Sequence, residues 1–104
     1  MKIAITSTGN NLHAKMDARF GRCSFFAVYD TVSLQTDFFE NPNKDAAGGA
    51  GPASAQFIAS KGVESVYSGD FGAKVKEFFD QLKITMLAVA VNDKTIQEVI
   101  NQIK

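Results

Sequence analysis

The chain of 104 residues is poor in the residues that build disulfide scaffolds and metal centres, since it has one cysteine and one histidine. A single cysteine cannot form a disulfide within the chain, and alone it cannot fill a four-ligand metal site. The sulfur of Cys23 is therefore either a small buried hydrophobic group or one ligand of a site that other groups complete.

Net charge and long apolar runs are also absent. Eleven basic and eleven acidic residues cancel, so no overall field favours nucleic acid or an anionic membrane. No stretch approaches the roughly 18 apolar residues that a membrane span needs, and Met1–Thr6 is typical of a strand rather than of a signal peptide. We therefore expect no nucleic-acid partner, no membrane partner and a cytoplasmic location.

What the chain does contain is typical of one globular domain over residues 1–104. Apolar residues make up 45% of the sequence and charged residues 21%, which is ordinary for a folded domain of this length. Nine phenylalanines and no tryptophan predict a core that is packed around phenylalanine rings.

The order of apolar runs and turn residues predicts a three-layer α/β/α fold. Strands are expected at Lys2–Thr6, Phe25–Tyr29, Leu34–Phe39, Val63–Tyr67 and Ile84–Val91. Helices are expected from Pro52 to Ser60 or Lys61, from Phe71 to Leu82 with Asp70 as N-cap, and from about Lys94 to Ile103. The first half forms a β-hairpin that ends at Asn41-Pro42-Asn43, whereas the second half alternates helix and strand. This pattern predicts a mixed sheet of about five strands with an N-terminal β-hairpin.

Two details of this pattern can be tested against the structure. The uninterrupted apolar character of Phe25–Tyr29 predicts a strand that is buried on both faces. At the start of the last helix, Thr95 and Glu98 have the spacing of a capping box, although Asp93 competes as the cap.

The segment Arg19-Phe20-Gly21-Arg22-Cys23 is the first candidate site. Arg19 and Arg22 would lower the pKa of Cys23 by stabilising its thiolate, which is a soft ligand for iron, copper or molybdenum–sulfur species. The same arginines could hold an anionic cluster or a phosphate through charge-assisted hydrogen bonds. The alternatives are a buried, inert sulfur and solvated arginines that pair with Asp17 and Asp30.

Two further features could contribute to such a site. His13 lies in a polar loop, where it is either a metal ligand or simply exposed. The glycine-rich segment Gly48–Gly51, with Gly49 and Gly51 as its candidate anion-binding residues, precedes a helix whose amides and dipole favour negative charge. It is not a Walker A sequence, because no Gly-Lys-Ser/Thr follows, and a flexible loop with an ordinary cap is the alternative.

The order of these motifs resembles one known family. The matching elements are a first strand that leads into a loop with Arg19–Cys23, an aromatic strand that ends at Asp30, Gly49-Ala50-Gly51 before a helix, Gly62-Val63 before a strand, and Ser68-Gly69 followed by Phe71-Gly72. From Lys2 to about Ile103 the chain resembles the dinitrogenase iron–molybdenum cofactor biosynthesis family, which includes NifX and the NifB C-terminal-like domains.

The resemblance implies a ribonuclease-H-like fold and a role that is not enzymatic. Members bind, hold or pass on iron–sulfur or molybdenum-containing clusters. In cofactor-binding members a histidine often precedes the Phe-Gly pair, but this chain has Arg19 there. That ligand is therefore not carried over, and His13, six residues earlier, is only a possible substitute.

Together these observations predict a small carrier or accessory protein for an iron–sulfur or molybdenum–iron–sulfur cluster, or for its precursor. The cluster would lie between the Ser7–Cys23 loop and the Gly48–Gly51 loop, with Cys23 as a soft ligand and the two arginines balancing its charge. We expect a cluster donor or acceptor protein as partner, and a monomer or weak homo-oligomer. The alternative is a protein-interaction or regulatory module of the same fold that binds no metal and keeps Cys23 inert.

A nuclease is the enzyme that this fold would suggest, and the sequence argues against it. Metal-dependent nucleases need several carboxylates around paired divalent ions, usually with one in the first strand, and Lys2–Thr6 has none. The chain also lacks a Ser-His-Asp order and a nucleophile elbow. We therefore expect a protein that is not an enzyme.

Overall fold

A central five-stranded sheet organises the computed structural model, which describes residues 1–90 and 92–104. The strands are β1 (Lys2–Ser7), β2 (Phe25–Asp30), β3 (Thr36–Glu40), β4 (Ser65–Ser68) and β5 (Thr85–Ala88), and the helices are α1 (Ala50–Ala59), α2 (Ala73–Gln81) and α3 (Ile96–Ile103). The strand order is β3-β2-β1-β4-β5. Antiparallel pairing joins β1, β2 and β3, whereas β1, β4 and β5 pair in parallel. The predicted mixed sheet with an N-terminal hairpin is confirmed.

The two faces of the sheet are covered by different helices. Ala4 of β1 packs in a cluster with Ala55 of α1 and Phe79 of α2. Its neighbours in the strand, Ile3 and Ile5, point the other way and pack with residues of α3. Because successive side chains of a strand alternate between faces, β1 contributes to both cores. The predicted three-layer arrangement is therefore confirmed.

Strand β2 shows the same division, which its sequence predicts. Phe26 and Val28 lie in the core beneath α1 and α2, while Ala27 and Tyr29 lie in the core beneath α3. All four are buried, so the prediction that this strand is covered on both faces is confirmed.

Several element boundaries differ from the predictions. Helix α1 begins at Ala50, two residues before Pro52. Strand β3 begins at Thr36 rather than Leu34, because Leu34 has a positive φ of 64°, a left-handed conformation that a strand cannot contain. Strand β4 begins at Ser65 rather than Val63, and β5 ends at Ala88. The predicted end of β5, Val91, lies outside the described residues.

The helix caps give one correction and one confirmation. The N-cap of α2 is Gly72, with no side-chain hydrogen bond, so the prediction that Asp70 caps a helix from Phe71 was wrong. At α3, the Thr95 side chain accepts from the Glu98 amide and the Glu98 carboxylate accepts from the Thr95 amide. The predicted capping box is confirmed, and Asp93 is not the cap.

The loop after β1 folds back along the end of that strand. The Asp17 amide donates to the Thr6 carbonyl at 3.1 Å, and the Thr6 hydroxyl donates to the Asp17 carbonyl at 2.6 Å. The next residue, Ala18, packs against Gly69, which directly follows β4, so closely that a Cβ on Gly69 would lie 2.6 Å from the Ala18 Cα. These contacts hold the following Arg19–Arg22 segment at the carboxyl ends of two parallel strands, where α/β proteins commonly bind ligands.

None of the helices in the described part of the chain is both long and apolar enough to cross a membrane.

Candidate functional site: a cationic cleft

A cleft of about 440 Å³ opens where the Arg19–Arg22 segment, the start of α1 and the start of α2 meet. Its lining is Arg19, Phe20, Gly21, Arg22, Gly49, Ala50, Gly51, Pro52, Asp70 and Lys74. Four of the predicted site residues, Arg19, Arg22, Gly49 and Gly51, are thus brought together. Three cationic side chains and one carboxylate give the lining a formal charge of +2, in a chain whose total is zero.

Arg19 is held in place by a buried carboxylate. Asp17 is 7% exposed, and its Oδ1 accepts from the Arg19 backbone amide at 2.8 Å and from Arg19 Nε at 3.4 Å. This confirms one of the two pairings that the sequence suggested. The Arg19 side chain nevertheless remains 65% exposed, so its remaining donors are available at the cleft.

Arg22 joins the cleft to the loop that precedes α1. Its Nη1 donates to the carbonyl of Lys44 at 3.1 Å and to that of Ala46 at 2.6 Å. The alternative pairing with Asp30 does not occur, and Arg22 forms no ion pair with any carboxylate in the described part of the chain. The guanidinium therefore contributes its charge to the positive lining of the cleft.

The N-terminus of α1 contributes backbone donors to the opposite wall. Gly49, the N-cap, has a φ of 69°, a left-handed conformation that glycine adopts without a steric cost. Among the described residues, no acceptor takes the amide hydrogens of Ala50 or Gly51, and Pro52 has none. Two free amides and the positive end of the helix dipole thus lie beside the three cations.

Lys74 and Asp70 also line the cleft. From the sequence, Lys74 was missed and Asp70 was assigned only as a helix cap. Lys74 lies in the first turn of α2, where the helix dipole disfavours a cation. Because a lysine is unfavourable at that position of a helix, its presence there could have marked Lys74 as a candidate site residue. Asp70, exposed beside it, brings the only carboxylate in the lining.

The segment between the two arginines is fixed by an aromatic anchor and by a close backbone contact. The Phe20 ring is 2% exposed and lies within 5.7 Å, between centroids, of the rings of Phe26, Phe71 and Phe79. At Gly21, an added Cβ would lie 2.8 Å from the backbone N and Cα of Gly51. The two walls of the cleft therefore meet at a point that only glycine can occupy.

Cys23 does not lie in the cleft. It is fully buried in the core beneath α1 and α2, and its Sγ donates to the Phe20 carbonyl at 3.3 Å. Burial raises the pKa of the Cys23 thiol to about 12, and the Asp17 carboxylate acts in the same direction. The prediction that Arg19 and Arg22 lower this pKa was wrong, because the arginines extend to the surface while the sulfur lies inside.

The burial of Cys23 predicts an unreactive thiol. At pH 8 a disulfide reagent such as 5,5′-dithiobis(2-nitrobenzoate) should modify the folded protein at least about a hundredfold more slowly than the urea-unfolded chain, because the thiolate is the attacking form. Absorbance at the wavelength of the released thiolate follows the reaction. A folded protein that reacts as fast as the unfolded chain would contradict the burial.

His13 is separated from the cleft as well. It is exposed, it does not line the cleft, and its backbone amide donates to Asn11 Oδ1 at 2.9 Å. Across residues 1–90 and 92–104, no three side chains of His, Cys, Asp or Glu are grouped as metal ligands. The structure therefore gives no support to His13 and Cys23 as joint ligands, and the residues that it does bring together form a cleft with a net positive charge.

Two of the segments on which the family resemblance depends form this cleft. They are the segment that begins with Arg19 and the glycine-containing start of α1. The sequence model of the family described as "Dinitrogenase iron-molybdenum cofactor" matches residues 1–104. The chain belongs to this family. An uncharacterized protein of Methanocaldococcus jannaschii is 31% identical to it over 87 residues, which cover 81% of this chain and 70% of that protein.

Solved structures share the fold over nearly the whole chain. The apo form of the orange protein from Desulfovibrio gigas superposes with a TM-score of 0.90 at 25% identity, covering 98% of this chain and 85% of that one. A Thermotoga protein proposed to be NifB gives a TM-score of 0.83 at 31% identity, with the same coverage. Membership of a cofactor-biosynthesis family and an α/β fold with a mixed five-stranded sheet are therefore shown.

Proposed function

We propose that this protein is a carrier that binds a preassembled anionic metal–sulfur cluster, or a thiometallate precursor of it, in the cationic cleft. The observation that carries the proposal is the convergence of Arg19, Arg22 and Lys74 with the free amides of α1 around one cleft. A concave site with a net positive charge attracts a multiply charged anion more strongly than the same charges spread over a surface.

The lining also limits how the cargo can be held. Neither cysteine nor histidine is among the lining residues, and clusters that are assembled on a protein are held by thiolates, usually four. The cleft can offer charge-assisted hydrogen bonds from guanidinium, ammonium and amide groups. It suits an anion that keeps its own sulfide or other ligands, whether an iron–sulfur or a molybdenum–iron–sulfur species.

The size of the cleft and the relatives agree with this proposal. About 440 Å³ lies within the range of sites that take small ligands. The orange protein of Desulfovibrio gigas was solved in a form named apo, a word that describes a protein without its bound group. By analogy, this chain would receive its cargo from a donor protein and deliver it to an acceptor, acting as a carrier rather than an enzyme.

The cleft charges give the first test. Anaerobic titration with tetrathiomolybdate, followed by absorption spectroscopy and metal analysis, should show binding that weakens with rising salt. Arg22→Gln and Lys74→Gln should each weaken it by about tenfold, the value of one charge-assisted hydrogen bond. Lys76→Gln, which removes an exposed lysine of the same helix outside the lining, should leave the affinity unchanged.

Cys23→Ser separates electrostatic binding from coordination by the protein. Since the sulfur is buried away from the cleft, this variant should bind tetrathiomolybdate as the wild type does. Loss of binding in a Cys23→Ser variant that is as stable to urea as the wild type would restore the coordination hypothesis. If the wild type binds no tetrathiomolybdate and forms no cluster after anaerobic treatment with iron and sulfide, the result would favour the protein-interaction module. That alternative expects an inert Cys23, which agrees with the burial of this residue.

A further inference from the structure

A buried pair of polar side chains, Asn41 and Ser54, lies beneath the cleft. Asn41 is 1% exposed and Ser54 is fully buried. The Ser54 hydroxyl is 3.2 Å from Asn41 Oδ1 and 3.1 Å from the carbonyl of Gly21, so it can donate to either oxygen. The sequence predicts for Asn41 only the end of a hairpin, and nothing in it marks Ser54. Burying a polar group costs free energy unless the group is hydrogen-bonded. The hydrogen bonds of this buried pair therefore fix the positions of the groups to which it binds.

The Asn41 amide spans the backbone on both sides of Arg22. Its Nδ2 donates to the carbonyl of Gly21 at 3.2 Å and to that of Cys23 at 3.0 Å. These two carbonyls flank the residue whose guanidinium lines the cleft. Asn41 therefore restrains the backbone from which Arg22 projects.

The same side chain also holds the loop that Arg22 clamps. Asn41 Oδ1 accepts from the Asn43 amide at 3.0 Å, and the Asn43 carbonyl in turn accepts from the amide of Ala46 at 3.1 Å. The carbonyl of Ala46 is one of the two acceptors of Arg22 Nη1. Both the base and the tip of Arg22 are thus connected to one buried amide.

Ser54 extends this network to the other wall. It belongs to α1, whose first residues line the same cleft as Arg22, and its contact with the Gly21 carbonyl joins the two walls directly. We propose that the Asn41–Ser54 pair is a positioning device, which fixes Arg22 relative to the N-terminus of α1 so that both engage one anion. The proposal rests on the proposed function, since it concerns the binding of that same anion.

The test compares two substitutions of equal shape at Ser54. Ser54→Thr keeps the hydroxyl and adds a methyl group, whereas Ser54→Val adds the same bulk without the hydroxyl. Tetrathiomolybdate should bind Ser54→Val about fivefold more weakly than Ser54→Thr, because an unrestrained Arg22 loses part of its contribution. If neither variant folds, Ser54→Ala, which removes the hydroxyl and adds no atoms, is compared with the wild type.

A double-mutant cycle distinguishes positioning from a general loss of structure. In an Arg22→Gln background the difference between Ser54→Thr and Ser54→Val should fall below about twofold, because the group being positioned is gone. An undiminished fivefold difference in that background would overturn the proposal, as would equal binding of the two variants with Arg22 present. A general structural defect would persist whether or not Arg22 is there.

If the wild type binds no tetrathiomolybdate, the proposed function fails for that anion. The positioning of Arg22 by the Asn41–Ser54 pair can still be tested by a second measurement. Hydrogen exchange of the Asn43 and Ala46 amides then reports the network directly. Faster exchange in Ser54→Val than in Ser54→Thr, with unchanged exchange in α3, supports the positioning device. Equal exchange in the two variants overturns it.

Discussion

Replacement of Phe20 with alanine is expected to lower the free energy of unfolding by about 3–5 kcal/mol, the usual cost of removing a buried phenylalanine ring. The ring is 2% exposed and packs against Phe26, Phe71 and Phe79 with centroid distances of 5.5–5.7 Å. Since a domain of this size has about 5–15 kcal/mol in all, this single change removes a large part of its stability. Urea unfolding followed by circular dichroism measures it.

The effect of Phe20→Ala should extend to binding, because this residue is one of those that line the cleft. Its neighbours Arg19 and Gly21 lose the anchor that holds them at the surface, so the folded fraction should also bind tetrathiomolybdate more weakly. Val32→Ala is the control, since Val32 is 82% exposed and its loss should change stability by less than about 0.5 kcal/mol. A Phe20→Ala protein as stable as this control would show that the aromatic cluster is not the anchor.

The second large effect is expected at Gly21, where even a methyl group has no room. Gly21→Ala places a Cβ 2.8 Å from the N and Cα of Gly51, and because these are backbone atoms, one wall of the cleft must move. The expected loss of stability is about 3 kcal/mol, at the upper end of the range for overpacking. Tetrathiomolybdate binding should weaken in the same variant, and denaturation and titration measure the two effects.

Gly48→Ala is the matched control for this substitution. Gly48 belongs to the neighbouring loop, has no atom within 4 Å of an added Cβ and does not have a positive φ. It should be neutral or slightly stabilising, by less than about 1 kcal/mol, because alanine restricts the unfolded chain. If Gly21→Ala behaved like Gly48→Ala, the close approach of the two walls would be wrong.

Local patterns in the sequence were enough to predict the layers of the fold. The strand Phe25–Asp30 is apolar at every position but its last, and that pattern alone predicts burial on both faces. Thr95 and Glu98 are the residue types that form a capping box, and they stand three residues apart as it requires. Helix starts were less well predicted, as at α2, because Asp70 and Gly72 both suit a cap and only the path of the chain decides between them.

The site was predicted only in part, because the local sequence marks some of its residues as candidates and not others. Arg19 and Arg22 flank a glycine in a short segment, and Gly49 and Gly51 precede a helix, so local chemistry marks both as candidates for binding an anion. Lys74 was missed because it is fifty-two residues from Arg22 and enters the cleft only through the position of α2. Asn41 and Ser54 were missed because the partners of a buried hydrogen bond are not adjacent in sequence.

Cys23 shows what the sequence by itself determined and what only the tertiary structure decided. The sequence determined that one sulfur stands next to Arg22 at the entry to a buried strand, in the motif order of a cofactor family. Adjacency in sequence suggested a thiolate stabilised by arginine. The tertiary structure separates the two groups, because Arg22 extends outward to the Lys44 and Ala46 carbonyls while Cys23 points into the core. The effect of burial on the pKa of the thiol then outweighs any effect of the neighbouring arginine, and the pKa rises to about 12.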